Sequence, residues 1–330
     1  DLGGTKIAAG VFESGGKLVG DLVTEPTLAD GPVEGSRQSL LRAVDGALAG
    51  AGVDSGALDG IGVGAPGPLD ANSGTLLEIP TLPGLQYFPL RGRLVQRYET
   101  RVEISNDGNC FALGEALYGA ASSEAVVLGV TMGTGCGAGL VVEGRIHEGA
   151  TFNAGEVYRA PCGERSFDEV LSGPGLEQLY RERVGSNRPG PEISELARNG
   201  DPDAREVFEA FGIAVARGLG ILVAVFDPQV VVLGGGVGSA FDCFEEVVKR
   251  EIGQYMAPTA AEPPASQVFV AQQTPTTPPL SVQRDFTAPQ AQTQQARTTP
   301  PRPVAAPPPP PPPRPRQAAG PLGFKLTELQ

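Results

Sequence analysis

Asn106 and Asp107 stand where the run RVEISNDGNCFALGEALY, from Arg101 to Tyr118, changes its period. Val102 and Ile104 alternate as in a strand, Ser105 to Asn109 read as a polar turn, and Cys110 to Tyr118 carry Phe111, Leu113 and Leu117 at helical spacing. A carboxylate beside a carboxamide at such a handover is placed to bind a ligand or take a proton, because α/β folds gather their chemistry at strand ends. Asp107 could equally cap the helix by accepting N–H groups of its first turn. Two glycine-rich turns are the other chemistry-bearing pieces. DLGGTKIAAGVFESG from Asp1 aligns with TMGTGCGAGLVVEG from Thr131, with Gly3 on Gly133, Ala8 on Ala138, Val11 on Val141 and Glu13 on Glu143. Glycine turns leave backbone N–H groups free to meet phosphate oxygens, so two of them can grip one polyphosphate from both sides. Either could also be a plain hairpin in a β-rich core.

The elements that must position these groups follow from the apolar pattern. Each glycine turn reads as strand, tight turn and returning strand, the second spanning VVLGVTMGTGCGAGLVVEG from Val126. Leu40, Leu41, Val44 and Leu48 mark an amphipathic helix over 31–52, closed by glycine. Ile61 to Pro68, IGVGAPGP, is a short strand stopped by a rigid Pro/Gly turn. Ser166 and Glu169 have capping-box spacing and predict a helix running through Leu171. Val207, Phe208, Phe211, Val215, Leu219 and Leu222 line one side of a long helix over 202–226. A strand over 230–233, the turn Gly234-Gly235-Gly236 and a helix over 241–255 follow.

Bulk properties exclude several functions. A net charge of −13 and a pI near 4.7 argue against non-specific binding to nucleic acid or anionic membranes. Cys110, Cys136, Cys162 and Cys243 show no C-x-x-C spacing and His147 is the single histidine, so neither a Cys/His zinc cluster nor a disulfide framework is expected. Reduced thiols, the lack of a signal peptide and the lack of a membrane-spanning apolar run predict a cytoplasmic protein. From Pro258 onward lie 19 of the 32 prolines, and the Gln/Thr/Pro bias beyond Ala271 predicts a disordered or polyproline tail whose run over 307–313 could serve as an SH3-like ligand.

Taken together, the motifs resemble the ROK family (repressor, open reading frame, kinase), a group of actin-like sugar kinases and sugar-responsive regulators, over 1–270. DLGGTK is similar to its first phosphate motif, GVGAPGPLD to its sugar-side loop and SNDGNCFALGEALYG to its catalytic segment. GTGCGAGLVVEGRIHEGATFNAGE is similar to its second phosphate motif and signature, and DPQVVVLGGGV to its adenosine motif. The resemblance implies an α/β fold of the actin-like ATPase (ribonuclease H-like) type, with duplicated domains around a cleft. It also implies phosphoryl transfer from magnesium-bound ATP to a hexose, with glucose the leading substrate, by a bacterial cytoplasmic glucokinase of carbohydrate metabolism and glycolysis. Asp107 is then the general base. Gly67, Asn106, Asp107, Glu156, Arg159, Asp168 and Glu169 are the sugar-side residues, with Asp168 preferred to Glu169 because Glu169 is occupied by capping. Asp1, Gly4, Thr5, Lys6, Gly133, Thr134, Gly135, Gly235 and Gly236 form the nucleotide side, Asp1 helping to position Mg2+. A homodimer is implied by resemblance alone.

Departures from the family pattern carry their own expectations. Val157-Tyr158-Arg159 follows Gly155-Glu156 where the family has I-G-H, and Pro161-Cys162-Gly163 to Phe167 stands where it has a C-x-C-G-x-x-G-C zinc cluster, so no structural zinc is expected and a capped helix holds the loop. Thr81 replaces an asparagine common in the family's LPG loop, which leaves the sugar open. The domains read as 1–105, with its first strand truncated, 106–270, and a tail over 271–330. The family's closing helix is not evident after Val270, which reads as a fragment or an altered reading frame. The alternatives are a fragment of a non-catalytic sugar-responsive transcriptional regulator and an inactive, truncated kinase.

Overall fold

The computed structural model describes residues 1–255 and the strand 268–271. The predicted tail, its polyproline run and the expected site of a closing helix lie outside the described residues.

Apolar alternation builds the first lobe. Strands β1 (Lys6–Phe12) and β2 (Leu18–Pro26) pair antiparallel, with an irregularity between Ala9 and Val11. Helix α1 (Val33–Ala51) packs on them through Leu40, Ala43, Ala47 and Leu48, and Gly52 ends it in the left-handed conformation that glycine adopts without strain. The predicted leading strand of the first hairpin shrinks to one bridge, Leu2 with Ile7, and the Leu2 N–H continues to Gly64 O at 2.8 Å. That contact carries the sheet on to β3 (Ile61–Ala65), which is followed by the small hairpin β4 (Leu69–Asp70) and β5 (Thr75–Leu76) and by helix α2 (Leu90–Tyr98). Strand β6 (Val102–Asn106) runs parallel to β3 with Ala65 opposite Asn106. Parallel register therefore brings the loop after β3 and the end of β6 to one edge. Leu2, Ile7, Val63, Leu76, Leu94 and Ile104 belong to the core beneath them.

The polar turn expected over 105–109 does not form. Strand β6 runs straight into α3 (Asp107–Leu117), because the Asn106 side chain itself caps the helix and removes the need for a turn. Helix α3 then lies on β7 (Val126–Met132) and β8 (Cys136–Val142), which form the second hairpin as read from the pattern. Glycines permit this close approach: a Cβ at Gly139 would meet Gly108 O at 2.6 Å, and one at Gly129 would meet Ala112 at 2.7 Å.

The second lobe is a five-stranded sheet in the order β13-β12-β7-β8-β9, with β9 (Arg145–Ile146), β12 (Val230–Gly234) and β13 (Val268–Ala271). Both faces of β7 are covered, so its pleat divides two cores. Val127 joins Ala112 and Val232 on one face, and Leu128, Val130 and Met132 join the helices on the other. A hairpin of β10 (Pro161–Cys162) and β11 (Arg165–Ser166) leads into α4 (Phe167–Val170), α5 (Gly173–Val184), α6 (Gly190–Arg198) and α7 (Pro202–Phe226). Among the described residues α7 is the one helix long and apolar enough to cross a membrane, but most of that stretch is buried in the core.

The helix expected over 241–255 is broken. The one-turn α8 (Gly235–Gly238) comes first, then a 3-10 turn over Phe241–Cys243, α9 (Glu245–Glu251) and a second 3-10 turn over Ile252–Tyr255. Phe244 explains the break. Its backbone leaves the helical region at φ −137° so that its ring stacks on Phe208 at 6.0 Å and meets Phe211 edge-on at 5.4 Å.

Candidate functional site

Asn106 organises the junction of β6 and α3. Its Oδ1 accepts the N–H groups of Gly108 at 2.7 Å and Asn109 at 3.3 Å, while its Nδ2 donates to Glu156 Oε1 at 2.8 Å. The cap that could have been assigned to Asp107 thus belongs to its neighbour. Asp107 keeps one contact with the first turn, the Gly108 N–H on Oδ1 at 2.8 Å. Burial pushes its carboxyl above the ordinary carboxylate range, against that N–H bond, which favours the ionised form. Glu156 is raised as well, by burial first and then by the Asp107 charge, with the Asn106 bond opposing. Two carboxylates, half-buried Glu156 and the more exposed Asp107, therefore share one corner, with a carboxamide between helix and acid.

Gly67 closes that corner from the β3 side. A Cβ there would lie 2.9 Å from Glu156 Cδ and 3.2 Å from Asn106 Nδ2, with Oε1 closer still, so this position has no room for a side chain. The structure thus brings Gly67, the adjacent Asn106 and Asp107, and Glu156 together from three separate parts of the chain. A cavity of about 630 Å3 runs behind Asp107, lined in part by Asp1, Gly64, Ser105, Cys110 and Glu148.

The remaining sugar-side candidates lie differently. Arg159 is exposed, with its guanidinium 5.6 Å from the centre of the Tyr158 ring. Glu169 completes the capping box read from the sequence. Its Oε2 accepts the Ser166 N–H at 2.9 Å and hydroxyl at 2.8 Å, and these bonds hold its carboxyl below the ordinary range. Asp168 reaches the other turn: its Oδ1 accepts the Cys136 N–H at 2.7 Å.

Both glycine turns are clamped by contacts the sequence did not mark. Around Gly3, Gly4 and Thr5, buried Thr27 donates its hydroxyl to Gly3 O at 2.6 Å and its N–H to Thr5 O at 3.0 Å. Thr81 covers Gly4, where a Cβ would meet its carbonyl oxygen at 2.9 Å. Lys6 follows as the exposed first residue of β1, opposite Pro26. In the second turn Gly133 donates to Gly135 O and accepts from Gly173 N, each at 2.8 Å, and Thr134 sits between them at the tip. Gly235, at φ 84°, presses on the end of β7, where a Cβ would meet Met132 C at 2.7 Å, whereas the space at Gly236 is open. No pattern in the sequence signals Thr27, since its value lies in a contact made across 24 residues.

Where the family pattern has its cysteine cluster, the β10–β11 hairpin turns at Gly163, φ 81°. Burial pushes the Cys162 thiol up, and Arg165 fastens the hairpin by donating to Glu169 O at 3.1 Å and Gln178 Oε1 at 2.8 Å. Among the described residues no group of three or more His, Cys, Asp or Glu side chains could hold a metal ion. Mg2+ delivered with a nucleotide needs less, since it takes one or two carboxylates and completes its shell with phosphate oxygens and water. The exposed Asp1, beside the first glycine turn, fits that requirement.

The model of the ROK family matches residues 1–277. N-acetyl-D-glucosamine kinase of Escherichia coli O157:H7 is 32% identical over 283 residues, covering 80% of this chain and 91% of that protein. Among solved structures, the ROK hexokinase of Thermus thermophilus is 36% identical with a TM-score of 0.65, covering 78% of this chain and 89% of that one. A ROK family glucokinase of Streptomyces griseus, solved in complex with glucose and AMPPNP, is 29% identical with a TM-score of 0.67, covering 82% and 92%.

Proposed function

Because this chain belongs to the ROK family and has the actin-like ATPase fold of that family's sugar kinases, we propose that it transfers the γ-phosphoryl group of ATP to a hydroxyl of a hexose. The observation that carries the reading is the corner where Asn106 bonds Glu156 beside the carboxylate of Asp107, whose affinity for a proton is raised. Relatives acting on N-acetyl-D-glucosamine and on glucose are both represented, so the substrate is a hexose of the glucose type, and the glucose preference read from the motifs is kept only as one of two to test.

Asp107 acts as general base. Its raised affinity for a proton suits the task, since a base works best when its pKa lies closer to the operating pH, and such transfer is typically worth about 10² to 10⁴ in rate. Glu156 and Asn106 orient the sugar, offering an acceptor and a fixed carboxamide to its hydroxyls. Gly67, having no side chain, lets Glu156 and Asn106 lie against its backbone. The turns at 3–5 and 133–135 cradle the phosphates through backbone N–H groups, with Gly235 and Gly236 beside the adenosine. Mg2+ held by Asp1 and the phosphates would neutralise charge that develops on the transferred group.

A coupled assay for ADP release with glucose and N-acetyl-D-glucosamine tests this reading. Turnover that depends on the sugar and collapses in Asp107→Ala is expected. A folded chain that binds nucleotide and turns over neither sugar would refute it.

A further inference from the structure

Resting on that reading, we propose that Asp168 is a positioning residue for the nucleotide, fastening the phosphate-binding turn at 133–136, and does not serve as a sugar ligand. Cys136 is the first residue of β8, and its N–H ends on Asp168 Oδ1 at 2.7 Å. A carboxylate at that distance forms a charge-assisted bond, stronger than the neutral bonds elsewhere in the turn. The same oxygen lies against the neighbouring residue, because a Cβ at Gly135 would come within 2.6 Å of it. One carboxylate thus sets the geometry of two consecutive residues of the turn.

Asp168 is itself held firmly. Its N–H donates to Tyr158 O at 3.1 Å, the Phe167 N–H donates to Ala160 O at 3.0 Å, and the Ser166–Glu169 capping box fixes the helix on which it stands. Just beyond, the Gly173 N–H reaches Gly133 O at 2.8 Å, so the 133–136 turn is tied at both ends to the segment 168–173. The chain through Tyr158 O leads back to the loop that carries Glu156. A carboxylate repels phosphate, so its service to this turn is to hold backbone and not to touch the nucleotide.

Binding of Mg2+-AMPPNP without sugar, measured by calorimetry, and the sugar KM at saturating ATP separate the two roles. Asp168→Ala should weaken AMPPNP about tenfold or more, the usual consequence of losing a hydrogen bond to a charged group, while the sugar KM moves less than about threefold. Asp168→Asn keeps an oxygen for the Cys136 N–H and should restore most of the nucleotide affinity. Gly135→Ala, which displaces the carboxylate sterically, should resemble Asp168→Ala. Wild-type AMPPNP affinity in Asp168→Ala would overturn the proposal. So would a raised sugar KM in Asp168→Asn, which also decides the matter if Asp168→Ala does not fold. Wild-type protein that binds AMPPNP yet turns over no sugar would refute the kinase reading alone, and the calorimetric comparison would still stand.

Discussion

Adding one methyl group at Gly67 should switch off sugar recognition while leaving the fold intact. The new Cβ would lie 2.9 Å from Glu156 Cδ, where ordinary van der Waals contact begins at 3.4 Å, and nearer still to Oε1. The carboxylate must therefore swing away by about 1 Å, enough to break its 2.8 Å bond from Asn106. A hydrogen bond to a charged group contributes about 1.5 to 3 kcal/mol. If the sugar depends on that placement, kcat/KM for the sugar falls by a factor of about 10 to 150. Gly67 is absent from the positive-φ glycines, so alanine meets no left-handed backbone penalty there and reduces the entropy of the unfolded chain. The assay pairs steady-state kinetics over a sugar titration with thermal unfolding. Unchanged kcat/KM in Gly67→Ala would refute the assignment of this corner to the sugar, and a large fall in melting temperature would refute the claim that the corner is not a packing site.

Further outcomes follow from the same structure. Asp107→Asn should lower kcat by about 10² to 10⁴ and yet melt no lower than wild type near neutral pH. The sign follows from linkage: the folded-state pKa of Asp107 lies above its unfolded value, so its stabilising effect is complete below the unfolded pKa and is lost as pH rises through the folded one. The wild-type chain should therefore lose stability relative to Asp107→Asn as pH rises across that window, and an opposite trend in paired melts would contradict it. Ser166→Ala removes the side-chain cap of α4 and should cost about 0.5 to 2 kcal/mol in denaturant unfolding. Phe208→Ala, taken from a fully buried ring stacked on Phe244, should cost about 3 to 5 kcal/mol in the same measurement, and less than 1 would mean the aromatic cluster is not packed as described. Excess EDTA should abolish turnover by removing Mg2+ but leave the melting temperature of the protein alone unmoved, since the β10–β11 hairpin is held by Arg165 and buried Cys162; a drop in melting temperature would reveal a structural metal.

Local pattern made the helices and hairpins legible. The heptad-like run from Val207 to Leu222 is buried as its spacing implies, the Ser166–Glu169 box forms, and Gly133 to Gly135 turn between β7 and β8. These features depend on residues within a few positions of one another, and short-range sterics and hydrogen bonding decide them. The sequence could equally mark Asp107 as base or cap, because both roles require an acid at the same place. Tertiary structure gave the cap to Asn106, which also reaches Glu156, fifty positions away in sequence. It also broke the helix expected over 241–255, where burying Phe244 against Phe208 and Phe211 outweighs helical continuity. Thr27 on the first turn, Thr81 on Gly4 and Asp168 on Cys136 came into view only in three dimensions. Periodicity records which face of an element avoids water, and that much the chain determines alone. Which side chain meets which turn across the cleft depends on how sheets and helices pack, and only the folded structure decides it.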